Sequence, residues 1–194
     1  MSRICVFCGS KNGIHPEFAD AAKRLGRALA AQKIGLVYGG ASVGLMGAIA
    51  DAVLADGGEV HGVIPGGLAA KEIAHDGLTQ LHVVSTMHER KALMERLSDG
   101  FIAMPGGFGT FEEFLEIVTW TQLGLHRKPA GLLNVGGYYE PLLAQIRSGL
   151  DAGFIPQELA PAVVAEREPE ALLTRLLSHQ VPPPTVKWIT REET

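Results

Sequence analysis

Short apolar runs that stop at glycine clusters alternate with helical patterns along almost all of this 194-residue chain. Ile4 to Phe7 runs into Cys8-Gly9-Ser10, Gly35 to Tyr38 into Gly39-Gly40, Val60 to Ile64 into Pro65-Gly66-Gly67, and Phe101 to Met104 into Pro105-Gly106-Gly107. Leu81 to Val84 and Ala130 to Leu133 read as two further strands. Pro16 opens a helix in which Phe18, Ala21, Ala22, Leu25 and Leu29 recur at helical spacing. Other helices are expected over 44–55 and 87–97, from about Thr110 to Leu123, from about Tyr138 to Ala152, and over 169–177, while Leu68 to Gly77 reads as irregular. Buried strands separated by helices demand a mostly parallel sheet covered on both faces, and right-handed crossovers leave few arrangements. The expected fold is therefore α/β: a doubly wound, Rossmann-like sheet forming one domain over 1–180, with a Pro-rich tail over 181–194. The glycine clusters fall at the carboxyl ends of strands, where such sheets bind ligands.

Composition narrows the function. A net charge of -4 and a pI near 6.0 give no electrostatic reason to bind along a nucleic-acid backbone. No stretch approaches the roughly 18 apolar residues of a membrane span, and the N-terminus lacks the pattern of a signal peptide. Two cysteines cannot build a disulfide framework. Cys5 and Cys8 spell C-x-x-C, but they lie on a strand run, where residues three apart face opposite sides; they read as inert thiols. The expectation is a cytoplasmic protein with neither nucleic acid nor membrane as partner.

Two phosphate motifs fail as written. A dinucleotide fingerprint needs a third glycine where Glu112 follows Gly107-Phe108-Gly109, and a P-loop needs Lys where Leu45 follows Gly44. The Pro105–Thr110 loop still suits one phosphate. Its glycines admit an anion to backbone N–H groups, the next helix turns its positive end toward it, and Thr110 can cap that helix. On the helix, Phe111, Phe114, Leu115 and Val118 form an apolar face, while Glu112 and Glu116 point toward solvent. Glu113 instead shares a stripe with Ile117 and Trp120, which desolvates its carboxylate and raises its pKa. In the 87–97 helix, Arg90 and Lys91 occupy positions that the stripe of Met87, Met94 and Leu97 would make apolar. Two cations there, beside a glycine loop, favour an anion pocket over a snorkelling pair. The seven His show no metal-ligand spacing, and His88 reads as a surface residue.

These residues resemble a known family. Pro105-Gly106-Gly107-Phe108-Gly109-Thr110-Phe111-Glu112-Glu113 matches the PGGxGTxxE signature of the LOG ("lonely guy") proteins, and Met87-His88-Glu89-Arg90-Lys91 looks like their second signature. Phe7–Ser10, Tyr38-Gly39-Gly40, Gly44–Gly47 and Leu132–Tyr139 are similar to other family segments, so the likeness runs from about Ile4 to Ile155. The resemblance implies a cytokinin riboside 5′-monophosphate phosphoribohydrolase, which cleaves the N-glycosidic bond of N6-substituted AMP to free base and ribose 5-phosphate. By family pattern Arg90 and Glu113 would be catalytic. Lys91, Gly106, Gly107, Phe108, Gly109, Thr110, Phe111 and Glu112 would bind substrate together with them. Glu72 lines up with a substrate-contacting Glu, with Lys71 where plant members have Arg, and Ser10, Gly39, Gly40 and Met87 are further candidates.

The chemistry implied needs a carboxylate beside a ribose that gains positive charge, and a cradle for one phosphate, with no metal or other cofactor. Arg90 could serve either the phosphate or the departing base. Family members have carried the label "lysine decarboxylase"; that reaction would need a cofactor such as PLP, for which no recognised site is visible. Two alternatives remain: a plain AMP nucleosidase and a non-catalytic nucleotide or phosphosugar carrier. Ile117, Trp120 and Leu123 leave apolar surface on more than one helix face, and with the resemblance this points to a homodimer.

Overall fold

The computed structural model describes residues 1–69 and 73–183. Its strands are β1 (Arg3–Phe7), β2 (Gly35–Tyr38), β3 (Val60–Pro65), β4 (Gln80–Val84), β5 (Gly100–Ala103), β6 (Ala130–Leu133) and β7 (Val163–Glu166). The helices are α1 (Pro16–Ala31), α2 (Gly44–Ala55), the short α3 (Gly66–Leu68), α4 (Met87–Leu97), α5 (Phe108–Leu123), α6 (Glu140–Asp151) and α7 (Pro169–Ser178). Strand and helix alternate from end to end. All strands pair in parallel, in the order β4-β3-β2-β1-β5-β6-β7. The chain winds outward from β1 to β4 and then returns to place β5 on the other side of β1. This doubly wound arrangement puts its reversal, and hence its crevice, at the carboxyl ends of β1 and β5.

The period of two along each strand divides the interior into two cores. Ile4, Val6, Leu36 and Tyr38 face α1, α2 and α7, where Leu25, Leu29, Ile49 and Leu172 are fully buried. Cys5, Phe7, Val37, Val63 and Phe101 face the opposite side, against Met94 of α4, Phe114 and Ile117 of α5, and Tyr139. Each fully buried leucine or isoleucine contributes about 1.5–3 kcal/mol, which locks the sheet against both helix layers. Cys5 and Cys8 fall into different cores, and burial pushes both thiols well above the ordinary range, consistent with inert cysteines. Among the described residues no helix is long and apolar enough to cross a membrane.

Several local readings change. A seventh strand, β7, closes the β6 edge where the sequence suggested only a short helix to follow. The helix expected from Tyr138 starts at Glu140, because Val135–Gly137 forms a tight turn with Gly136 and Gly137 at positive φ. The helix expected from about Thr110 starts at Phe108 with Gly107 as its cap residue, so Thr110 lies inside the first turn and does not cap it. The predicted tail falls outside the described residues from 184 onward.

Candidate active site

The start of α4 sets the phase of its two cations. Thr86 caps the helix, accepting from the Glu89 amide (3.1 Å), and the Glu89 carboxylate reaches back to the Ser85 amide (2.8 Å). That start turns Arg90 inward, under the carboxyl ends of β2 and β3. Its Nε donates to the Val63 carbonyl (3.1 Å) and its Nη1 to Glu113 Oε1 (2.7 Å). The two side chains are 12% and 10% exposed, so the pair is held largely out of water. Gly39 makes room for it, since a Cβ there would overlap Arg90 Nη2. Burial pushes the Glu113 carboxyl above the ordinary glutamate range, although the Arg90 guanidinium pulls it the other way.

One position on, Lys91 turns toward the outer face of α5. Its ammonium donates to Glu112 (2.5 Å) and to Glu116 (2.9 Å). Burial draws this ammonium downward, but the hydrogen bonds to the two carboxylates outweigh it and hold its pKa above the usual lysine value. Glu112 is exposed as expected; Glu116, expected in solvent, is instead half-buried because Lys91 recruits it. The buried face of α5 is Thr110, Glu113, Phe114, Ile117 and Thr121, which leaves Leu115, expected within the apolar face, 41% exposed.

One turn before Glu113, the glycine loop closes against the end of β1. Gly9 N donates to the Pro105 carbonyl (3.0 Å), Tyr139 Oη to the Met104 carbonyl (2.6 Å), and Tyr138 Oη to the Gly106 carbonyl. The first N–H groups of α5, with no preceding turn to accept from them, are available to an anion at this loop. Gly106 has no space for a side chain, because a Cβ would overlap Thr110 Oγ1. Beside the loop opens a cleft of about 360 Å³ lined by Ser10, Lys11, Asn12, Gly106, Gly107 and Tyr138 among others.

The structure thus brings together Arg90, Glu113 and Gly39 in one group, Lys91 and Glu112 in a second, and Ser10 with Gly106 and Gly107 in a third; Phe108–Phe111 joins them along the first turn of α5. Gly40 packs beneath, against Ile64 and Leu81, rather than facing the cleft. Met87 stands exposed at the α4 start, Phe108 is 91% exposed, and Phe111 stacks on Tyr138. Glu72 lies outside the described residues. Sequence reasoning does not single out Lys11, Glu116, Tyr138 and Tyr139 as site residues; the tyrosines' signals are their position behind Gly136-Gly137 and their place in a family-like segment.

A family model described as "Possible lysine decarboxylase" matches residues 46–176. The probable cytokinin riboside 5'-monophosphate phosphoribohydrolase LOGL1 of Oryza sativa subsp. japonica is 51% identical over 190 residues, spanning 96% of this chain and 85% of that protein. The cytokinin riboside 5'-monophosphate phosphoribohydrolase LOG2 of Arabidopsis thaliana is 50% identical over 180 residues, 93% of this chain and 84% of that protein. The chain belongs to the LOG phosphoribohydrolase family. In this LOG chain the two signatures, distant in sequence, meet through the Arg90–Glu113 pair. Solved structures share the fold at low identity: a molybdenum cofactor binding protein from Rippkaea orientalis has a TM-score of 0.69 at 22% identity, covering 91% of the LOG chain and 95% of its own. A molybdenum cofactor carrier protein from Chlamydomonas reinhardtii scores 0.67 at 22% identity, covering 91% and 98%. At that identity they speak for the fold alone.

Proposed function

We propose that this protein hydrolyses the N-glycosidic bond of a nucleoside 5′-monophosphate, an N6-substituted AMP by preference, releasing free base and ribose 5-phosphate. The observation that carries the reading is the largely buried Arg90–Glu113 pair one helical turn from an anion-ready glycine loop. The phosphate lies against the Gly106–Thr110 loop and the α5 start, which sets the ribose toward Glu113. As the C1′–N9 bond breaks, its electron pair leaves with the base and positive charge builds on the ribose. Ionised Glu113 stabilises that charge and takes a proton from the attacking water, whose oxygen bonds C1′. The proton then passes to the base. Arg90 belongs on the base side, because its bonds go to Val63 and Glu113 rather than to the loop. Lys91 and Glu112 contact the substrate near the pocket mouth, with Ser10 and Met87 as outer contacts and Gly39 beside Arg90.

Lysine decarboxylase chemistry is not favoured. A Schiff-base lysine needs a lowered pKa, whereas Lys91 is bound by two carboxylates that hold its proton. The same reading has residues 1–180 acting as one domain in the cytoplasm. It also has the chain working as a homodimer through the outer surface of α4 and α5. There Met87, Phe108 and Leu115 are exposed and a groove of about 630 Å³ runs past Trp120 and Leu125.

Incubating purified protein with AMP and with isopentenyladenosine monophosphate, followed by chromatography, tests the substrate class. Faster release of isopentenyladenine than of adenine is expected. Preferential release of adenine would select a plain AMP nucleosidase, and binding without release of either base would select a carrier.

A further inference from the structure

The cations around the proposed site are not equally available. Arg90 is committed to Glu113, and Lys91 to Glu112 and Glu116. Lys11 also borders the site, and among the described residues it makes no ion pair. Among the described residues it is the single charged side chain lining the cleft beside Gly106 and Gly107, and no described carboxylate lines that cleft.

A charge count shows what the cleft lacks for a phosphate monoester. Such a group carries about -1.5 to -2 at neutral pH, while a helix N-terminus offers the equivalent of about +0.5. The loop and α5 therefore leave most of the charge uncompensated, and both signature cations are already neutralised by carboxylates. We infer that Lys11 supplies the missing counter-charge and is a binding residue for the 5′-phosphate, an inference that rests on reading the site as one for a nucleoside monophosphate.

The backbone places Lys11 for this role. Gly9 is tied on one side to the glycine loop, its N–H donating to the Pro105 carbonyl (3.0 Å). On the other side its carbonyl accepts from Leu45 N (3.1 Å) at the start of α2. Two residues further on, Lys11 emerges from a strand end anchored to both walls of the crevice. Its ammonium reaches a bound phosphate without first leaving a carboxylate, unlike Lys91.

The test compares the full-length parent with Lys11→Met and Lys11→Arg, using ribose 5-phosphate binding by calorimetry, adenine as a phosphate-free ligand, and steady-state hydrolysis of isopentenyladenosine monophosphate. Lys11→Met is expected to weaken ribose 5-phosphate at least tenfold and to raise KM by a similar factor. It should leave kcat within threefold and adenine affinity unchanged, and Lys11→Arg should restore ribose 5-phosphate binding to within threefold of the parent. Unchanged ribose 5-phosphate affinity in Lys11→Met, with the parent hydrolysing nucleotide, overturns the assignment and leaves the hydrolase reading standing. Weakened affinity in Lys11→Met with no hydrolysis by the parent supports the phosphate role and removes the hydrolase. A parent that binds no ribose 5-phosphate overturns the Lys11 assignment, while base release alone decides the hydrolase reading.

Discussion

Replacing Glu113 with Gln removes one charge from the centre of the site with little change of shape. The amide oxygen can still accept from Arg90 Nη1, which now donates to the carboxylate at 2.7 Å, so Arg90 keeps a partner and the fold is retained. What disappears is the field on a cationic ribose. A carboxylate about 4 Å from a full positive charge, at an effective dielectric of about 20, is worth on the order of 4 kcal/mol. At about 1.4 kcal/mol per decade, that corresponds to roughly a thousandfold loss of kcat. In the proposed reaction the carboxyl must be ionised to act, and burial holds its pKa above the ordinary glutamate value. The acid limb of the parent pH–rate profile should therefore rise at a pH above that of a free glutamate and be absent from the variant. Steady-state rates of base release from pH 4 to 8 (roughly the range of interest for a raised carboxyl), with a melting curve for each protein, provide the readout. A folded Glu113→Gln variant with kcat within threefold of the parent would show that the Glu113 charge does not carry the reaction.

Gly106→Ala forces a Cβ into Thr110 Oγ1 and shifts the loop; we expect a stability loss of about 1–3 kcal/mol and at least tenfold weaker ribose 5-phosphate binding, by calorimetry. Asp99 accepts from the Ser2 and Arg3 amides, which hold its pKa below the ordinary aspartate value despite partial burial. The stability this confers is present above the unfolded-state pKa and is lost as pH falls through the lower folded-state value. Asp99→Asn should thus lower the melting temperature at pH 7, and the gap should close in acid. Light scattering should give twice the 20.6 kDa chain mass; a monomer would remove the proposed α4–α5 interface.

The fold was legible because its buried strands end at glycines that mark the crevice, and β1, β2, β3 and β5 all carry that signature. β7 lacks it. Val163–Glu166 is a short edge strand with only Val164 fully buried, and no glycine stop follows, so neither length nor pattern separates it from a loop. Glu113 stood out since a carboxylate in an apolar stripe conflicts with its surroundings, and Arg90 for the same reason. Helical phase alone misplaced Leu115 and Glu116. Which residues of α5 are buried follows from its packing on β5, and Glu116 is drawn in by Lys91 reaching from α4; both are tertiary facts. Thr110 read as a cap because its residue type suits one; the loop glycines instead let the helix begin two residues earlier.

In the proposed reaction Arg90, Glu113 and the glycine loop together cleave a nucleoside monophosphate between base and sugar. The most direct measurement follows isopentenyladenosine monophosphate with purified protein, assaying free base and ribose 5-phosphate in the same sample over time. Both should appear in equal amounts at the same rate. Base without ribose 5-phosphate, isopentenyladenosine with inorganic phosphate, or no product at all would contradict it.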